Sequence, residues 1–173
     1  MLQGTKDINS EQCHLIEFLA RRQKRVVRST FSAELNGLLD NLEQAILVQM
    51  AVHEILNGKK RVITQLREDL ETGKLQPDLD CVVDARALFD AVAAADPCTP
   101  LECSLKLHLL DIRDKLACGM IKKLYWADTR DMVADCMTKG GVLRTMIQNL
   151  CAQGKVILSQ ECKVHQKYKA IAS

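Results

Sequence analysis

Aromatic side chains are scarce in this chain, at 3% of 173 residues with a single tryptophan, which excludes a platform of stacked rings for single-stranded nucleic acid. No apolar run approaches the roughly 20 residues of a membrane span, and the N-terminus lacks the basic-then-apolar layout of a secretory signal. These absences predict an intracellular protein, cytoplasmic or nuclear, with no membrane partner. Paired cysteine spacing is missing too. The closest of the eight cysteines, Cys98 and Cys103, have four residues between them and no companion pair, so neither a zinc site nor a disulfide framework is indicated. Cysteines scattered over apolar faces behave as small hydrophobes in a reducing compartment. His14, His53, His108 and His165 show no zinc spacing with them. The net charge is only +2, so any nucleic-acid contact must rest on a local cluster rather than on the whole molecule.

What is present is enough apolar material, 47% of the chain, to fill the core of one domain. Residues 1–13 read as a polar leader, 14–150 as the domain, and 151–173 as an extension with a short strand at 156–158 and a mobile tail from Gln160. Strands are expected at 14–19 and 26–29, 79–83 and 122–126, each a short apolar run bounded by turn residues. The stripe of Leu35, Leu38, Leu42, Ile46 and Met50 predicts a long helix from Phe31 to Leu56, with Ser29, Thr30 or Ser32 as its cap. Further helices are expected over 62–71, 85–95, 101–117 and 142–150, with Gly73 and Gly119 as stops. Another helix, capped by Asp128 or Thr129, is expected to carry Asp135. The fold class is α/β.

Three acidic residues stand where elements meet. Glu34 opens the long helix, Asp84 ends a short apolar strand, and Asp135 lies in Val133-Ala134-Asp135-Cys136-Met137-Thr138-Lys139. Intervals of about fifty residues can bring three separate elements to one rim, and a carboxylate that follows a strand stands where ligands gather in open α/β sheets. The pattern points to a metal-binding carboxylate cluster. Taken singly, each has an ordinary reading: Glu34 as a first-turn acid favoured by the helix dipole, Asp84 as a helix N-cap, Asp135 as a surface acid. Five of the eight residues from Arg21 to Arg28 are basic. Such a stretch is a solvated strand face, a nuclear-import patch, or a track for a phosphate backbone.

Together these residues resemble the ribonuclease H domain of copia-type retrotransposon polyproteins, from about His14 to Gly141. Gln23 to Leu35, with Ser29-Thr30 ahead of Glu34, is similar to that family's strand-to-helix entry. Cys81-Val82-Val83-Asp84-Ala85-Arg86-Ala87 is similar to its second acidic motif, and Val133 to Gly140 to its last. The resemblance implies a ribonuclease H-like mixed sheet flanked by helices. It also implies an endonuclease that cleaves the RNA strand of an RNA/DNA hybrid with two Mg2+ ions held by four carboxylates, of which Glu34, Asp84 and Asp135 match three. Hydrolysis of a phosphodiester uses one such ion to activate water and the other to neutralise the leaving oxygen. Arg25, Arg28, Ser29, Thr30 and Arg86 are then the phosphate or sugar contacts, because hybrids are read by backbone shape and 2′-hydroxyls. The reverse transcriptase portion of the parent polyprotein is the implied protein partner. Only thirteen residues precede His14, so the resemblance further implies a sheet without the family's first one or two strands and without its first catalytic carboxylate. A non-catalytic remnant, serving as a nucleic-acid-binding or protein-interaction module, is the alternative expectation.

Overall fold

The computed structural model describes residues 15–16, 29–57, 62–94, 103–138, 141, 144–156 and 162–166. Among these, the order is α1 (Thr30–Asn57), α2 (Ile63–Glu71), β1 (Asp80–Val83), α3 (Arg86–Ala93), α4 (Cys103–Cys118), β2 (Lys123–Ala127), a 3-10 turn (Thr129–Asp131), α5 (Val133–Thr138), α6 (Thr145–Gln153) and β3 (Cys162–Gln166). The class is α/β, as the sequence predicts. One mixed sheet runs in the order β1-β2-β3. Strands β1 and β2 are parallel, from Asp80 opposite Lys123 to Val83 opposite Trp126, and the crossover between them is made by α3 and α4, since parallel neighbours cannot be joined by a tight turn. Strand β3 closes the other side of β2 in antiparallel pairing, with Ala127 opposite Cys162.

Helix α1 starts where the sequence allows its first turn to be capped. The Ser32 backbone N–H donates to Ser29 Oγ at 3.1 Å, which satisfies one of the orphan donors of the first turn. Leu35 and Leu42 are fully or almost fully buried, and Leu38, Leu39, Ala45 and Ile46 pack beside them. Beyond Ile46 the inward-facing residues become polar. Gln49 is 4% exposed and His53 3%. Gln49 Nε2 donates to the Pro77 carbonyl at 2.7 Å, and the Gln76 N–H donates to His53 Nδ1 at 2.9 Å. The far half of α1 is thus tied to the loop ahead of β1 by hydrogen bonds, each worth about 1 kcal/mol net.

The inner sheet face, Cys81, Val83 and Leu124, shares one buried cluster with Leu35 and Leu42 of α1, Leu88, Phe89 and Val92 of α3, and Leu109, Ile112 and Leu116 of α4. The i, i+3, i+4 spacing of these helical residues is what places them on one face. Burial pushes the Cys81 thiol up to about 12, so this cysteine is a packed hydrophobe rather than a nucleophile. A second, small cluster joins Leu150 and Val156 with Val133, Met146 and Ile147.

Several boundaries shift from expectation. The helix after β1 begins at Arg86 with Ala85 as its cap residue and no side-chain cap bond, so Asp84 is not an N-cap. Asp128 does cap, by accepting from the Arg130 N–H at 3.0 Å, but what it caps is the 3-10 turn, and Asp135 sits in the separate helix α5. Val156 is not in a strand, and the tail expected to be mobile from Gln160 contains β3. The strands expected at 14–19 and 26–29 lie outside the described residues, apart from Leu15, Ile16 and Ser29.

Candidate nucleic-acid interface

Parallel β1 and β2 end side by side, so the residues that follow them meet at one rim of the sheet. Asp84 follows β1 and is half-buried; Asp128 follows β2. Beyond the last ladder pair, Val83 opposite Trp126, a side chain also joins the two strand ends. Trp126 Nε1 of β2 donates to the Asp84 carbonyl at 3.0 Å. Over the same indole lies the guanidinium of Arg86, 4.9 Å from the ring centroid, a cation–π geometry. Arg86 Nε also donates to both carboxylate oxygens of Asp90 at 3.0 Å, one helical turn on. The Arg86 side chain is 46% exposed, and its Nη groups have no partner among the described residues. It is a cation held in place with donors to spare.

Beside this rim the chain turns through three aspartates. Asp128 is gripped by Arg130, whose Nε and Nη2 donate to its two oxygens at 2.8 and 3.1 Å, and these bonds hold its carboxyl at about 2. Its contribution to stability is therefore present above the ordinary carboxylate range and is lost only as the pH falls towards that value. Asp131 is 5% exposed and Asp135 8%. Burial, and after it the Asp131 charge, push the Cys162 thiol at the start of β3 up. Asp135 is thus not the surface acid of its ordinary reading.

Glu34 lies in the second turn of α1 with its side chain exposed, between buried Ser32 and Leu35. Phe31 and Leu35 belong to the cluster that also holds Val83, Ala85 and Trp126, so the first turns of α1 and the strand ends share one packed unit. Even so, no group of three or more His, Cys, Asp or Glu side chains that could hold a metal ion occurs among the described residues. The Mg2+ ions implied by the resemblance have no assembled ligand set there. Ser29 is engaged as the cap of α1, and its hydroxyl also meets that of Ser32 at 2.9 Å; Thr30 is exposed at the helix start. Arg25 and Arg28 lie outside the described residues.

The structure brings Asp84, Arg86 and Trp126 together. Sequence reasoning places residue 126 only at the end of an expected strand, and that position is the one signal for the bond Trp126 makes to the Asp84 carbonyl. Asp128, Asp131 and Asp135 follow one another at intervals of three and four residues, a spacing that flags a shared face. No protein-family model, no curated protein and no solved structure matches the chain.

Proposed function

We propose that the chain is a ribonuclease H-like domain of copia-type retrotransposon descent that engages RNA/DNA hybrids at the rim where β1 and β2 end. The observation that carries this reading is the pairing of a half-buried carboxylate at the end of a parallel strand, Asp84, with a stacked and exposed guanidinium two residues on, Arg86. A guanidinium with free N–H groups takes phosphate oxygens. A carboxylate beside it accepts a hydroxyl proton, which a ribose 2′-OH supplies and a deoxyribose does not. Together they read a backbone and its sugar, not base edges.

In this reading the parent activity is endonucleolytic cleavage of the RNA strand with Mg2+, and the reverse transcriptase part of the polyprotein is its partner. The alternative reading is a non-catalytic module that keeps hybrid binding.

One experiment addresses both. The full chain is titrated against end-labelled RNA/DNA hybrid, duplex DNA and duplex RNA of one sequence, with and without Mg2+, following anisotropy and cleavage of the RNA strand. The expected result is preference for the hybrid with weak or no cleavage. Equal affinity for hybrid and duplex DNA would remove the proposal.

A further inference from the structure

We propose that Trp126 is a positioning residue for this rim: one indole sets both the acid that ends β1 and the cation that opens α3. This inference rests on the hybrid-binding reading of the same site. Its N–H edge fixes the Asp84 carbonyl at 3.0 Å, and its face carries the Arg86 guanidinium at 4.9 Å. The indole is itself immobile, because β2 is paired on both sides, to Val83 through β1 and to Lys163 through β3, and its body packs against the main core.

The arrangement restrains Arg86 at two points. Asp90 takes Nε, and the indole face lies against the guanidinium carbon, which leaves the Nη donors for a ligand. An arginine left free on an exposed helix start would lose side-chain freedom on meeting a phosphate. One already stacked and paired loses less, and a planar fork keeps its direction where an ammonium would not. The ligand read by Arg86 is therefore a phosphodiester oxygen of the hybrid backbone, and Trp126 acts through Arg86 without touching the nucleic acid.

Salt dependence separates this role from mere packing. Each phosphate neutralised by a protein cation adds about one unit to the slope of log affinity against log salt. Arg86→Ala removes a cation and should lower that slope by about one unit. Trp126→Phe removes no charge, yet should lower the slope in the same direction and weaken hybrid binding several-fold, because the smaller ring is no longer tied to the Asp84 carbonyl and Asp90 becomes the main restraint on the guanidinium. The double variant should bind no more weakly than Arg86→Ala alone, since both changes remove one interaction.

The test is anisotropy of labelled RNA/DNA hybrid on the full chain at several salt concentrations, with thermal unfolding run on each variant. A wild-type slope in Trp126→Phe, or losses that multiply in the double variant, would overturn the inference while leaving hybrid binding intact. A wild-type chain that binds no hybrid removes the proposed function and this inference with it. Should Trp126→Phe fold poorly, the emission of Trp126, the chain's single tryptophan, gives a readout without changing it. Its emission should change on hybrid addition in the wild type and stay constant in Arg86→Ala; a change of equal size in both would refute the coupling.

Discussion

A Gly73→Ala variant is expected to lose roughly 3 kcal/mol or more of folding stability, the sum of a left-handed backbone forced on alanine and an overpacked contact. Gly73 ends α2 at φ 63°, and a Cβ built there would lie 2.5 Å from the carbonyl carbon and oxygen of Gly119 and 2.9 Å from the Cys118 oxygen. Those atoms cannot step aside. The Ile121 N–H donates to the Lys115 carbonyl at 3.0 Å, and the Lys122 N–H to the Leu79 carbonyl at 2.8 Å, so the end of α4 is part of the lead into β2. Lys122 Nζ in turn donates to the Gly73 carbonyl at 2.7 Å. Gly119→Ala makes the control: its φ of 83° carries the same conformational cost, but the nearest atom to the new Cβ is the flexible Lys122 Nζ at 3.6 Å. It should lose only about 1 to 2 kcal/mol. Urea unfolding of both variants checks this, and equal losses would show that the close approach of α2 and α4 is not rigid.

Asp84→Asn is expected to act in opposite directions on the two properties of the rim. Without metal, the carboxylate repels the phosphates that Arg86 attracts, so its neutral isostere should bind hybrid more tightly. The gain is roughly threefold to tenfold, the size of about 1 kcal/mol between charges near a surface. Any Mg2+-dependent cleavage shown by the chain should fall roughly a hundredfold or more, the upper end of losses for groups that orient a metal site. The amide keeps the shape of the side chain, and the Asp84 carbonyl that accepts from Trp126 is untouched, so folding should not change. Anisotropy in chelator and a cleavage assay in Mg2+ give the two numbers. The amide oxygen still accepts from a 2′-OH; cleavage that survives the substitution would place the reacting groups elsewhere, and weaker binding would mean that the charge on the Asp84 acceptor strengthens its 2′-OH contact by more than it repels the phosphates.

Elements built on local periodicity stand close to where the sequence places them. The leucine stripe from Leu35 to Ile46 and the Ser29 cap define α1 to within a residue or two, because both signals are local. The apolar runs that become β1 and β2 are also readable, since short apolar runs followed by turn residues leave a compact local pattern. Strand β3 was not. Cys162-Lys163-Val164-His165-Gln166 alternates only weakly, and what holds it is its pairing with β2, a contact across more than thirty positions of sequence.

The candidate site divides along the same line. Asp84 can be picked out because it follows an apolar run, and Arg86 through the resemblance, whereas the role of Trp126 depends on a bond spanning 42 positions. Asp131 and Asp135 carry polar side chains into buried positions, against the usual rule for carboxylates, and no local pattern reports that. Glu34 shows the converse. It sits among apolar neighbours in sequence yet its side chain is exposed, because the helix turns it away from Leu35.

The central claim is that the ends of β1 and β2 form the surface that meets the nucleic acid, and amide chemical shifts test it most directly. Isotope-labelled full chain is titrated with RNA/DNA hybrid, and the perturbed backbone amides are assigned. The account predicts that the largest changes fall on Asp84 to Ala87 and Trp126 to Asp128, together with the indole N–H of Trp126, and that duplex DNA moves them less. Perturbations confined to the α1–α2 end or to α6, with the Trp126 indole resonance unmoved at saturation, would contradict it.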